Sequence, residues 1–265
     1  MPTAGERARA LMGLSLLVVS ALASAALITS FISGIFGMAG GMILMGVLLA
    51  LLPLPAAMML HGIVQLAANG WRALLLRRVI DWRVFKGYAA GAFVALGLFA
   101  IAGFVVGKPA ALIVMGLTPF VALALPQRVH LNVERRWHSF ACGIVSMALS
   151  LTAGISGPLL DVFFVRSTMN RHAVVATKAI TQSLSHCLKI VYFGGVLAVE
   201  GGTVSPWLAA TMVLLAFAGT SLSRPVLERI SDGSFRLWTR WGVLALGAIY
   251  LASGVNAAWS MPMMS

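Results

Sequence analysis

A stripe of polar residues occurs twice in this chain, each time inside an otherwise apolar segment, and this repeat constrains the fold most. The first stripe is His61, Gln65, Asn69 and Arg72, and the second is Lys178, Gln182, His186 and Lys189. Both have the spacing i, i+4, i+8, i+11, which places each set along one face of an α-helix. The second stripe follows the first by 117 residues, as Lys178 follows His61.

The same offset extends upstream into a pair of glycine clusters. Ser33, Gly37, Gly40, Ala56, Ile63 and Gln65 recur as Ser150, Gly154, Gly157, Ala173, Ile180 and Gln182. Two copies of one unit, each with a glycine-broken helix and a polar face, are typical of secondary transporters when the chain lies in a membrane.

The amino-acid composition indicates that the chain lies in a lipid membrane. Hydrophobic residues make up 60% of the chain and charged residues only 10%, whereas about a quarter of a soluble chain is charged. The net charge of +12 comes mainly from short loops between apolar runs, which is the positive-inside pattern of a bacterial inner-membrane protein. No RNA- or DNA-binding motif accompanies this charge, so we expect no nucleic-acid partner.

Ten apolar segments follow one another along the chain. They cover approximately residues 11–35, 41–52, 56–76, 84–106, 109–125, 137–153, 157–165, 172–196, 205–223 and 238–259. Segments 41–52 and 157–165 are too short to cross a bilayer, which takes about 20 residues. Because each directly follows a glycine cluster, we predict broken or re-entrant half-helices, which are tolerated only where protein or a water-filled cavity satisfies the backbone.

The predicted fold is therefore an all-α polytopic membrane protein with two inverted repeats and about 8–10 membrane segments. Residues 1–125 form the first repeat, 126–136 a cytoplasmic linker and 137–265 the second repeat. The basic loops 77–86, 127–136, 166–171 and 224–240 are placed in the cytoplasm, and loops 53–55, 107–109 and 197–204 outside. The apolar run from Leu11 is expected to be a retained membrane segment, and the side of the N-terminus stays open.

The polar stripes and the glycine breaks are the candidate substrate site. Gln65 lies about 14 Å into its helix at 1.5 Å per residue, near the midplane of a core about 30 Å thick. The cations of the stripes have no acidic neighbour on their own stripe, so the site suits an anion. The candidate binding residues are Gly37, Gly40, Gly41, His61, Gln65, Asn69, Arg72, Gly154, Gly157, Lys178, Gln182, His186 and Lys189.

Individual roles follow from charge and depth. We expect Lys178 to supply the counter-charge, Arg72 and Lys189 to draw anions from the cytoplasm, and half-helix N-termini at the glycine breaks to add N–H donors. The proton-coupling candidates are His61, Asp161 and His186, although Asp161 is expected to pair with Lys178 or Arg166. The alternatives are that Gln65 and Gln182 join helices structurally, and that Arg72 only extends its charge to the interface.

Two other functions compete with transport by a carrier. Gly154-Ile155-Ser156-Gly157 resembles the G-x-S-G motif of rhomboid-type intramembrane serine proteases, with a histidine as base. However, Ser156 corresponds to Ala39 in the first repeat, and the Ala-His-x-x-Gly pattern of that family is missing. A passive anion channel is the second alternative.

No enzymatic activity and no cofactor are expected. The chain has no Walker motif, and Cys142 and Cys187 both lie in apolar segments, which argues against a disulfide framework and a zinc site. The expected partners are a small anionic substrate and the lipid bilayer, and the chain could also pair with a second copy as a homodimer.

The chain resembles the TauE/SafE family of sulfite and organosulfonate exporters. The resemblance lies in residues 33–42 (SGIFGMAGGM), the following Pro53, and the helix from Ala56 to Arg72, with a weaker version at 154–158 and 173–189. It covers about residues 20–255 and implies a permease that moves sulfite, sulfoacetate or related anions, usually outward. The family often has a third consecutive glycine where Met42 stands here, and Pro158 stands where the first repeat has Gly41, so the substrate stays open.

Overall fold

The computed structural model describes residues 16–36, 38–125, 131–200, 202–227 and 232–260. This part of the chain forms α-helices and contains no β-strand. The helices are α1 (Leu16–Phe36), α2 (Met38–Leu51), α3 (Leu54–Leu75), α4 (Trp82–Ala102), α5 (Lys108–Ala124), α6 (Arg136–Thr152), α7 (Gly157–Phe164), α8 (Arg171–Val199), α9 (Pro206–Leu227) and α10 (Asp232–Trp259). A short 3₁₀ turn, Arg77–Val79, follows α3. The all-α prediction is confirmed.

Ordinary capping chemistry explains where several helices begin and end. The Asp81 side chain accepts hydrogen bonds from the backbone N–H groups of Arg83 and Val84 at the start of α4. The Asn170 side chain does the same for Ala173 at the start of α8. Such caps satisfy N–H groups that have no partner within the helix. Helix α4 ends at Gly103 in the left-handed conformation (φ 57°) that favours glycine.

Four helices of the described part are long and apolar enough to cross a membrane, judged by length and composition alone. These stretches are Leu17–Ile35, Trp82–Ala102, Pro206–Ser223 and Leu237–Trp259, which lie in α1, α4, α9 and α10. Helices α3 and α8 are also long but carry the two polar stripes. The two short segments predicted after the glycine clusters are present as α2 and α7.

The helices pack in four main pairs, and glycines set their close approaches. Helix α1 packs on α9, α3 on α8, α4 on α6, and α5 on α10. A Cβ at Gly91 of α4 would lie 2.9 Å from the backbone N of Ile144 in α6, and one at Gly143 would lie 2.9 Å from the backbone N of Ala92. Small residues let membrane helices approach to this distance.

The central pair, α3 and α8, runs antiparallel. Gly62 of α3 lies against Ile190 of α8, and Gly70, two turns later, lies against Ser183. At the end of this pair, the Asp81 N–H donates to the Thr177 hydroxyl over 2.9 Å. The two polar stripes therefore lie on neighbouring helices that run in opposite directions.

The backbone breaks before α7 at a residue that must be glycine. Gly154 has φ 75°, and a Cβ there would lie 2.6 Å from the sulfur of Met45 and 2.9 Å from that of Met58. Non-glycine residues rarely adopt this conformation. The corresponding Gly37, between α1 and α2, lies outside the described residues, as does part of the linker (126–130).

Candidate functional site

The centre of the α3–α8 contact contains a lysine with no exposed surface. Lys189 is 0% exposed, and its ammonium lies 2.8 Å from His61 Nδ1 and 2.8 Å from the Gly154 carbonyl oxygen. Among the described residues no carboxylate pairs with Lys189, and Asp161 pairs with Lys178 instead. A buried lysine without an acidic partner is costly, which makes Lys189 the leading candidate for a site residue.

His61 connects this lysine to the other glycine break. Its Nε2 lies 3.0 Å from the Gly41 carbonyl oxygen, which can only accept, so Nε2 carries the proton. The Nδ1 atom must then accept from the Lys189 ammonium. The result is a continuous hydrogen-bonded chain from Gly41 in α2, through His61 and Lys189, to Gly154 before α7.

His186 adds a second imidazole beside this chain. Its ring lies edge-to-face with that of His61, with centroids 5.6 Å apart. The side chain is buried, and its Nδ1 has no hydrogen-bond partner. Because buried polar atoms are nearly always paired, this unpaired nitrogen is a candidate ligand-binding atom.

The remaining residues of the α3 stripe form a network within their own helix. The Asn69 amide donates to the Gln65 carbonyl oxygen over 3.0 Å and lies 3.4 Å from Gln65 Oε1. Arg72 reaches Asn69 Oδ1 at 3.5 Å. Gln65 Nε2 also lies against Gly41, where a Cβ would be only 2.9 Å away. Gln65 thus joins the centre, whereas Arg72 lies three turns of helix from His61.

Lys178 lies apart from this centre and pairs with Asp161 of α7. The expected ion pair of Asp161 is therefore present, and the lysine beside the two histidines is Lys189. The Lys189 side chain is wholly buried, and its expected role in drawing anions from the cytoplasm stays a prediction. Gln182 is half-buried on α8, one turn from both Lys178 and His186.

The glycine breaks were expected to offer backbone N–H donors to the site, and the structure shows a different contribution. Gly157 begins α7, as predicted, but Gly40 packs against the backbone of α1 at Thr29 and Ser33. Gly41 and Gly154 contribute carbonyl oxygens to His61 and Lys189. Lone pairs of backbone oxygens, rather than N–H groups, thus hold the cationic centre in place.

Two contributors to the site escaped the sequence reasoning. The first is Gly62, which lets α8 approach so closely that a Cβ there would lie 3.4 Å from the His186 carbonyl oxygen. Its counterpart in the other stripe, 117 residues later, is the small residue Ala179, a signal that was available. The second is Tyr88 of α4, whose hydroxyl lies 2.7 Å from that of Ser185 and fixes the back of α8.

The protease motif lacks the geometry of a Ser–His dyad. Ser156 is buried just before α7, and within the described residues its side chain makes no hydrogen bond to a histidine. No group of three or more His, Cys, Asp or Glu side chains that could hold a metal ion lies in this part of the chain.

Comparison with known proteins agrees with the resemblance. The sequence model of the family described as sulfite exporter TauE/SafE matches residues 22–250. No curated protein and no solved structure shows a significant match. The match spans most of the chain and includes both polar stripes, both glycine breaks and the apolar helices. The chain is therefore a multi-pass membrane protein that belongs to the TauE/SafE family, a family of transporters.

Proposed function

We propose that this protein exports small sulfur-containing anions, such as sulfite, sulfoacetate or other organosulfonates, through a site at the α3–α8 contact. The observation that carries the proposal is the wholly buried Lys189 ammonium, which no carboxylate of the described residues neutralises. A cation in a low-dielectric interior favours an incoming anion strongly.

The surrounding groups suit the oxygens of a sulfite or sulfonate. His186 Nδ1 has no partner, and the Gln65 amide lies beside Gly41. In our proposal the anion accepts charge-assisted hydrogen bonds from Lys189 and further ones from His186, Gln65 and Gln182. Asn69 and Arg72 form the path on the cytoplasmic side, and the Lys178–Asp161 pair opens when an anion approaches.

We propose alternating access, and the way in which the two halves meet supports it. Helix α1 pairs with α9 while α6 pairs with α4, and α3 pairs with α8 while α5 pairs with α10. In the two proposed repeats α1 corresponds to α6 and α9 to α4, so the α1–α9 and α6–α4 contacts are equivalent, as a pseudo-two-fold axis requires. The antiparallel α3–α8 pair supports the inversion of the two units. Because Lys189 links Gly41 to Gly154 across this axis, an anion that binds the ammonium loosens one half from the other.

Proton coupling is proposed through His61. Its Nδ1 accepts from Lys189, so a proton on that nitrogen would break the contact and free the ammonium for an anion. A proton and an anion would then bind together. His186 is the second candidate for the proton, whereas Asp161 is committed to Lys178.

The bacterial inner membrane is the proposed location, with the basic loops in the cytoplasm. In this orientation α3 runs inward and α8 outward. A homodimer remains compatible with the exposed aromatic residues on the outer helices, such as Trp207 and Trp241.

Efflux of sulfite from proteoliposomes containing the purified protein tests the proposal. We expect efflux to saturate with sulfite concentration and to respond to an imposed pH gradient. If efflux does not respond to the pH gradient, the proposed proton coupling is wrong. If the flux does not saturate with sulfite concentration, a passive channel is favoured. No sulfite or sulfonate flux above that of empty liposomes would contradict the proposed function.

A further inference from the structure

A cavity lies between α5, α7 and α10, and Lys189 is not among the residues that line it. It is a cleft of about 510 Å³, a size within the usual range of small-molecule sites. We call it the α5–α7–α10 cleft. Its walls are mainly apolar and include Pro119, Ala122, Leu123, Val162, Val243 and Leu244.

The polar groups of the cleft are few. Arg166 and Arg240 line it together with Asp161, which pairs with Lys178. Thr239 also lines the cleft, and its buried hydroxyl has no hydrogen-bond partner. Since Asp161 is already paired with Lys178, the guanidinium of Arg240 gives the cleft a positive charge close to a hydroxyl that has no partner.

The cleft and the buried centre share one short helix. Pro158 and Asp161 of α7 line the cleft, and Gly154, three residues before α7, accepts the hydrogen bond from Lys189. Helix α5 ends at Ala124 and leads into the basic linker. By the positive-inside rule the cleft therefore faces the cytoplasm, the side from which an exporter loads.

We propose that the α5–α7–α10 cleft is a loading site for organic anions in which a sulfonate carries a short apolar chain. The apolar chain contacts the walls, and the sulfonate binds Arg240 and the Thr239 hydroxyl before it displaces Asp161 from Lys178. This inference rests on the proposed function, because it adds a separate loading site to that transporter. Inorganic sulfite has no apolar part and gains nothing from the walls.

Chain-length dependence is the signature of such a site. A buried methylene contributes about fourfold in affinity, so partial burial here predicts about two- to fourfold for each added methylene. We would measure inhibition of sulfite efflux by methane-, propane- and hexanesulfonate added to the cytoplasmic side of proteoliposomes. The half-inhibitory concentration should fall with each added methylene, and alkylammonium ions of equal length should not inhibit.

Matched variants localise the effect to the cleft. Ala122→Phe fills the cleft and should abolish the chain-length dependence, both of the inhibition of efflux and of thermal stabilisation by the sulfonates. Ala100→Phe, at an exposed position of α4, is the control and should preserve the dependence. Arg240→Gln should weaken all three sulfonates by a similar factor of about tenfold or less, as expected for one charge-assisted contact.

Thermal stabilisation by hexanesulfonate, measured without transport, separates this inference from the proposed function. Stabilisation that Ala122→Phe removes would support the cleft even if sulfite were not exported. Chain-length dependence that survives both Ala122→Phe and Arg240→Gln would overturn the inference, as would equal effects of alkylammonium ions, since these indicate partition into lipid. Failure of sulfite efflux in the wild type would contradict the proposed function instead.

Discussion

Lys189 is the residue on which the proposed site depends, and its surroundings explain how a buried ammonium is tolerated. It donates to the His61 imidazole and to the Gly154 carbonyl, both at 2.8 Å. These contacts satisfy two of its three N–H groups without cancelling its charge. A carboxylate in the same place, such as Asp161 beside Lys178, would have made the group a structural ion pair.

Gly154 should not tolerate a side chain. We predict that Gly154→Ala destabilises the protein by about 1–3 kcal/mol, because alanine is strained at positive φ and its Cβ would collide with Met45. Gly103→Ala is the matched control, since Gly103 also has positive φ but no neighbouring atom lies within 4 Å of the position that a Cβ would occupy. Thermal unfolding in detergent measures both, and an equal loss in the two variants would contradict this explanation.

His186 should contribute to anion affinity rather than to stability. Replacing it by phenylalanine keeps the ring contact with His61 but removes the unpartnered Nδ1. We predict a sulfite affinity weaker by about tenfold or more, the size of one hydrogen bond to a charged group, with a similar unfolding temperature. Unchanged sulfite binding by calorimetry would show that this nitrogen does not face the anion.

Among the helices, the α4–α6 contact depends on the absence of a side chain. A Cβ at Gly91 would lie against the α6 backbone at Phe140 and Ile144, whereas one at Gly97 of the same helix would meet nothing within 4 Å. We predict that Gly91→Ala lowers stability by about 1–3 kcal/mol. Gly97→Ala should leave it unchanged or raise it by up to about 1 kcal/mol through helix propensity. Similar unfolding temperatures for the two variants would be inconsistent with this packing.

Outside the membrane, Glu134 joins the linker to the loop after α7. Its carboxylate accepts from the Thr168 backbone N–H and hydroxyl, both at 2.8 Å, and the backbone hydrogen bond in particular lowers its pKa below the ordinary value of 4.5. A lowered pKa stabilises the folded state above pH 4.5, and this contribution is lost as the pH falls through the folded-state value.

The Glu134 contact therefore predicts an acid-sensitive increment of stability. Glu134→Gln should be less stable than the wild type at pH 7, by less than about 1 kcal/mol because the group is only half-buried, and should therefore unfold at a lower temperature. The difference should shrink as the pH falls below 4.5. A difference that stays constant from pH 7 to pH 3 would contradict an ionic origin.

For the whole molecule, most of the predicted helices and candidate site residues came from the apolar periodicity of the sequence and from its internal repeat. The segments at 41–52, 157–165 and 172–196 correspond to α2, α7 and α8 within a few residues, because apolar runs and glycine breaks are local features. The stripe spacing also grouped His61, Gln65 and His186, which the structure brings together, since helix geometry fixes which residues share a face.

The choice between the two lysines could not be made from the sequence. Lys178 and Lys189 lie on the same stripe, and depth along the helix favoured Lys178. Which of them meets a carboxylate depends on how α7 folds back onto α8, a tertiary contact that no local pattern encodes. The carbonyl oxygens of Gly41 and Gly154 were likewise hidden, because backbone orientation at a helix break is set by packing.

Binding of sulfite to purified Lys189→Met and Lys178→Met, measured by calorimetry beside the wild type, tests the central claim most directly. Methionine fills the volume of either lysine without its charge. We predict that Lys189→Met lowers sulfite affinity by at least about tenfold, or 1.4 kcal/mol, whereas Lys178→Met changes it much less. Wild-type affinity in Lys189→Met, or a greater loss in Lys178→Met, would contradict a substrate site at the buried lysine.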